Sequence, residues 1–263
     1  MAFPETERVI YRKNPLAEVA VQLRFPPILK IDAEPPAAFQ DVIRSEYPLY
    51  TLTPAGNPIP PAIPPQIRNL IRSMGMRSAP GRHLFEAEDR AWQVALTRES
   101  LELRTTVYRR WEEFRDRAGE LRAAFEQVYE PAFYGRLGLR YVDVVRRSLL
   151  DLVDVPWSEL LNPHVAGELS APELANGIDR VSRELHCRLD GDNWYLTLKT
   201  GIVLADPEKE PCFLIDSDFH THKRTEMADV ARVLDVFNRT SGRLFRWSIR
   251  QRLHDSLEPE PVD

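Results

Sequence analysis

Residues 91–147 read AWQVALTRESLELRTTVYRRWEEFRDRAGELRAAFEQVYEPAFYGRLGLRYVDVVRR, and the reading of this stretch decides the fold. Apolar residues alternate over Ala91–Thr97 and again over Leu101–Val107, which predicts two strands joined by a short turn. The period then changes. From Tyr108 to Glu130, Trp111, Phe114, Ala118, Leu121, Phe125 and Val128 recur at steps of three and four, drawing one apolar stripe along a single helix face. Pro131 stops that helix, and alternation returns over Leu137–Arg146. A stripe of this kind must lie on something apolar, and the flanking strands supply it, so the core is predicted to be α+β with the helix laid across a sheet.

Working outward toward the N-terminus, Asn14–Phe25 alternates and is closed by Pro26-Pro27, and Pro35-Pro36 opens a short helix carrying Phe39, Val42, Ile43 and Tyr47. Residues 53–65 (TPAGNPIPPAIPP) carry six prolines and are predicted to form a loop or an extended polyproline segment, conceivable as a PxxP-like ligand. His83–Glu88 leads into the meander. Toward the C-terminus, Asp151–Gly177 is broken by Pro156, Pro163 and Pro172, which places a boundary between two halves near residue 150. Arg180–Leu189 and Trp194–Val203 then flank a hairpin turn at Asp190-Gly191-Asp192-Asn193. A third strand, Cys212–Phe219, precedes a helix with Met227, Val230, Leu234 and Phe237 in line, and a last helix is predicted over about Thr240–Leu257. Residues 1–150 and 151–263 thus read alike, each an antiparallel meander followed by helix. One continuous sheet with pseudo-twofold symmetry and helices on one face would unite them.

Composition narrows the functional classes. With 263 residues, 43% of them hydrophobic, the chain is ample for a folded core. A net charge of −5 argues against nucleic-acid binding through overall charge, though not against a local basic face. Cys187 and Cys212 suggest no disulfide framework, the first 14 residues do not form a signal peptide, and no run of about 18 apolar residues could span a bilayer. A soluble protein of the cytoplasm is expected, with no membrane partner.

Three clusters offer chemistry. In a strand, Asp216, Asp218, His220 and His222 project from one face, and with His186 of the neighbouring hairpin they are oxygen and nitrogen donors of the kind that hold a divalent metal. The alternative is a polar strand end facing water. Arg140 and Asp143 lie in an otherwise apolar strand, as an anion-recognition site or as a structural ion pair. Arg239, Arg243, Arg246 and Arg250 repeat at four, three, four, an arginine stripe with Trp247 beside it that could grip a nucleic-acid backbone or an acidic surface, or simply be solvated. No phosphate-binding glycine loop, zincin motif or nucleophile elbow is present.

Taken together, Asn14-Pro15-Leu16-Ala17-Glu18-Val19 leading to Arg24-Phe25, Tyr47-Pro48, the segment from Tyr108 through Trp111-Glu112-Glu113-Phe114, Gly138-Leu139-Arg140-Tyr141 and Leu214-Ile215-Asp216-Ser217-Asp218 resemble a sporadically distributed family of uncharacterised bacterial proteins. The resemblance implies a place in defence-linked or mobile gene neighbourhoods and carries over no catalytic residue. The expected function is that of a non-enzymatic accessory protein binding another macromolecule, a protein partner first, with no cofactor. The alternatives are a metal-dependent phosphoester hydrolase or nuclease using Asp216, Asp218 and His220, and a nucleic-acid binder using the arginine-rich helix.

Overall fold

The structure is a computed structural model that describes residues 3–53, 81–175, 177–190, 193–205 and 210–262. The proline-rich segment from residue 54 onward, and Gly191-Asp192 of the hairpin turn, lie outside the described residues.

The fold is α+β. Nine strands form one antiparallel sheet: β2 (Leu16–Arg24), β3 (Leu49–Thr53), β4 (Arg82–Glu86), β5 (Trp92–Thr97), β6 (Ser100–Thr105), β7 (Arg136–Val145), β8 (Ser182–Arg188), β9 (Trp194–Ala205) and β10 (Glu210–Thr221). Their order is β3-β4-β5-β6-β2-β7-β10-β9-β8. A separate ribbon pairs β1 (Val9–Tyr11) with β11 (Pro259–Pro261). A repeat is visible in that order, but its second unit opens at β7 (Arg136–Val145), before the boundary read near residue 150. In each half an opening strand, β2 or β7, pairs with the last strand of its own meander, β6 or β10, and the two opening strands pair with each other at the centre. The sheet therefore runs unbroken past residue 150.

Register sorts the side chains. The row Phe85, Val94, Leu103, Val21, Leu139, Phe219, Leu196 crosses seven strands on one face, and most of these residues are fully buried. Both long helices lie on this face. The first, Trp111–Tyr129, buries Trp111, Phe114, Leu121 and Phe125, setting Phe114 against Trp92 at 5.8 Å and Phe125 against Phe25 at 4.6 Å between ring centroids. Glu112 and Glu113 occupy its first turn, where they complement the helix dipole, and Glu130 in the left-handed region precedes Pro131 at its end. Arg117 reaches over Trp92 and pairs with Glu46 rather than with Glu113, four residues back.

The second long helix runs from Val230 to Ser248 without the division predicted near residue 240, and sets Phe237 against Phe219 and Trp194. It ends where Ile249 turns extended and bridges to Leu161, and a short helix, Gln251–Ser256, follows. Arg239, Arg243 and Arg246 share the long helix, but Arg250 sits beyond the break with extended backbone, so the four-residue stripe is really one of three. Trp247 is half-buried, stacking on His164 at 3.7 Å and meeting Phe3 at 5.3 Å. Among the described residues no helix is long and apolar enough to cross a membrane.

Candidate binding site

The opposite face of the sheet carries a ladder of alternating charge. Glu102 accepts from Arg82 at 2.8 Å, from Arg104 and from Gln22, and Arg104 reaches Glu18 at 3.6 Å. Arg136 donates to Asp218 at 2.7 Å, and Arg140 grips Asp216 with two bonds of 2.7 Å. Burial opposes the charges on Glu102 and Arg140, and their partners outweigh it: Glu102 is held well below the usual carboxylate range by Arg104 and Arg82, and Arg140 above its ordinary value by Asp216. Gly138 belongs to this face as well. A Cβ there would stand 2.5 Å from the Arg136 guanidinium, so glycine keeps the path of Arg136 to Asp218 open.

The strand bearing Asp216, Asp218 and His220 alternates as predicted, but the face holds an arginine opposite each carboxylate rather than a gathered ligand set. His220 donates from Nδ1 to the Asp218 carbonyl at 3.1 Å, which leaves Nε2 to accept from His222 Nε2 at 3.1 Å. Burial lowers the pKa of His220, against the pull of Asp218. His186 pairs with Glu184 at 2.9 Å. It occupies the same cross-strand row as Asp218 with β9 between them, so the two backbones stand about 10 Å apart at ordinary strand spacing, where metal ligands must converge within a few ångströms. Among the described residues no group of three histidine, cysteine or acidic side chains is placed to share an ion.

The pairing of Arg140 with Asp143 is a correction. Residues three apart in a strand point to opposite faces. Arg140 joins the charge ladder, and Asp143 lies on the helix side, 6% exposed, at the floor of a cavity of about 260 Å³. Its walls come from the N-terminal segment (residues 6–16), the approach to the first long helix (Tyr108–Trp111), β7 and the second long helix. Tyr11, Tyr108, Tyr141 and Phe245 make the lining aromatic. Tyr141 donates to Asn238 Oδ1 at 2.8 Å, Tyr108 stands edge-on to Tyr141 at 6.0 Å, and the Tyr11 hydroxyl meets His254 Nδ1 at 2.8 Å. Burial pushes Tyr11 and Tyr108 up to about 12, so their hydroxyls stay protonated.

Six arginines ring this cavity: Arg8, Arg109, Arg110, Arg239, Arg243 and Arg246. Arg8 and Arg110 are taken up by Glu112, Arg243 by Glu5, and Arg246 by the Ile249 carbonyl and Gln251. Arg109 and Arg239 are exposed and have no partner among the described residues. Asp143 likewise accepts no hydrogen bond and forms no ion pair among them. Burial first, and the nearby Asp216 charge second, push its carboxyl up to about 8, so it is mostly protonated at neutral pH.

The cavity thus assembles four residues singled out from the sequence, Asp143, Arg239, Arg243 and Arg246, and leaves out Arg140, Arg250 and Trp247. Tyr108, Tyr141, Asn238, Arg8 and Arg109 went unnoticed as site residues. No spacing in the sequence singles them out, Asn238 being simply the residue before Arg239 on its helix. Comparison of the chain with protein-family models and with curated proteins finds no match.

Proposed function

We propose that the protein is a non-enzymatic binding protein that holds single-stranded nucleic acid at the arginine-ringed cavity. The observation that carries this reading is the juxtaposition of two exposed cations with no partner among the described residues, Arg109 and Arg239, with an aromatic recess. Single-strand binders combine these two features, cations for the phosphates and rings on which bases stack. An acidic peptide would satisfy the rim but would bring carboxylates toward Asp143. A base delivers an uncharged face to the recess while its phosphates stay outside. The net charge of −5 restricts this binding to the rim, with no general affinity for duplex DNA.

Fluorescence anisotropy of a short labelled oligothymidylate tests the reading. Binding at low salt is expected, and replacing both Arg109 and Arg239 with Ala should weaken it and reduce the slope of log K against log salt by about 1.4, roughly 0.7 per lost single-strand phosphate contact. No binding at low salt overturns the reading.

A second reading, a protein partner, is favoured by β3, the edge strand among the described residues, where Leu49, Tyr50 and Leu52 are exposed. Edges of this kind accept an added strand. Leu52→Lys should then abolish co-purification of that partner, and an unchanged yield sinks the idea. The family resemblance supports placing either activity in an accessory protein of a bacterial defence or mobile-element system.

A further inference from the structure

The floor of the cavity restricts what can enter it. Asp143 is almost wholly buried and has no hydrogen-bonding partner among the described residues, a costly arrangement unless a ligand completes it. An anionic group would meet a carboxyl. A cationic one would have to pass six arginines. What remains is a neutral group carrying hydrogen-bond donors and joined to an anion. The volume, about 260 Å³, lies just below the range of about 300–1,000 Å³ that drug-sized ligands occupy, which leaves room for one base with its sugar.

The bases differ in what they offer a carboxylate. Guanine presents two adjacent donors, N1–H and the exocyclic N2–H, which match the two oxygens of one carboxylate. Adenine sets an acceptor beside its donor, cytosine does the same in mirror order, and thymine and uracil have one donor between two acceptors. From the geometry of this floor, and resting on the single-strand reading above, we infer that the cavity selects guanine, held by both oxygens of Asp143 between the Tyr108 and Phe245 walls with its phosphate on Arg109 and Arg239.

Proton balance follows from the pairing. Guanine needs the ionised carboxylate, so the proton that Asp143 carries in the empty cavity leaves to solvent on binding and guanine affinity rises with pH toward about 8, whereas at lower pH the protonated acid, with one donor beside one acceptor, suits adenine instead. The other groups facing Asp143 do not obscure this dependence. Tyr11 on β1, Tyr108 on the loop and Tyr141 on β7 stay protonated, Arg8 stays charged, and Asn238 does not titrate. Asp216, behind the sheet, is locked to Arg140. His254, beyond Tyr11, has its pKa lowered by burial and stays neutral above pH 6.5.

The experiment uses labelled thymidine heptamers with a central guanine, adenine, cytosine, thymine or hypoxanthine, titrated with the full chain at a pH above about 8, where Asp143 is ionised. The guanine heptamer should bind roughly tenfold or more tighter than the thymine one, the discrimination a bidentate base contact supplies. Hypoxanthine, which lacks the exocyclic amine, should fall between them. Asp143→Asn presents one acceptor and one donor, so it should lose the guanine preference and favour adenine. Circular dichroism should show this variant folded, since Asn is close in shape to the protonated acid it replaces. If all five heptamers bind equally, the guanine assignment falls while single-strand binding stands. If none binds, both fall. A guanine preference that survives Asp143→Asn overturns the role given to Asp143.

Discussion

Replacing Asp143 with Asn should stabilise the protein, and increasingly so as pH rises. The folded chain holds the carboxyl protonated with a pKa of about 8, against an ordinary value of 3.8 in the unfolded chain. Its contribution to stability is therefore fully present below pH 3.8 and fades as pH rises through about 8, because over that window the unfolded state releases the proton and the folded state keeps it. At about 1.4 kcal/mol per pH unit, the penalty amounts to about 2 kcal/mol near pH 5 and about 5 kcal/mol near pH 7.5. Asparagine preserves the shape and never pays it. Urea unfolding of both proteins at these two pH values, with equal m-values, should show the stability gap in favour of the variant widening by about 3 kcal/mol. His83, His220 and His254, each with its pKa lowered by burial, titrate in both proteins and cancel in the difference. A gap that stays constant between the two pH values refutes the buried, protonated carboxyl and with it the electrostatics of the cavity floor.

Other substitutions probe the sheet and the helix. Arg140→Ala strands the buried Asp216 carboxylate and should cost about 3–5 kcal/mol in urea unfolding, whereas Arg140→Met with Asp216→Leu should recover most of that loss. Phe125→Ala empties the contact between the first long helix and Phe25 and should cost about 3–5 kcal/mol, with a matching drop in Tm. Gly138→Ala displaces Arg136 from Asp218, and an unfolding free energy within about 0.5 kcal/mol of the parent would show that the close approach is unimportant.

The helix Trp111–Tyr129 was legible because its stripe and its proline stop are local signals, and the strands around it because alternation and turn residues agree. The unbroken sheet was legible as a shape, since both halves repeat one order of elements. The break after Ser248 was not: neither Gly nor Pro marks it, and Ile249 turns extended because it bridges to Leu161, almost ninety residues earlier. Tertiary pairing overrode helix propensity there. The separation of Arg140 from Asp143 was within reach of strand parity alone. Whether Asp143 would find a partner was not, because that depends on the N-terminal segment and a distant helix closing over β7. The spacing of the arginine stripe was legible, but only the fold shows that Arg243 and Arg246 are tied to Glu5, Gln251 and a carbonyl while Arg239 has no partner among the described residues.

The central pairing of β2 with β7 has a consequence for how the molecule comes to exist. Each half would end on a bare inner strand if made alone, with an apolar row on one side and half of a charge ladder on the other. Pieces cut between the first long helix and β7 should accordingly be insoluble or unfolded singly and regain structure when mixed, at a rate that depends on the concentration of both. Evolution can therefore vary the outer strands of either half freely, but it must change the two inner ones in concert.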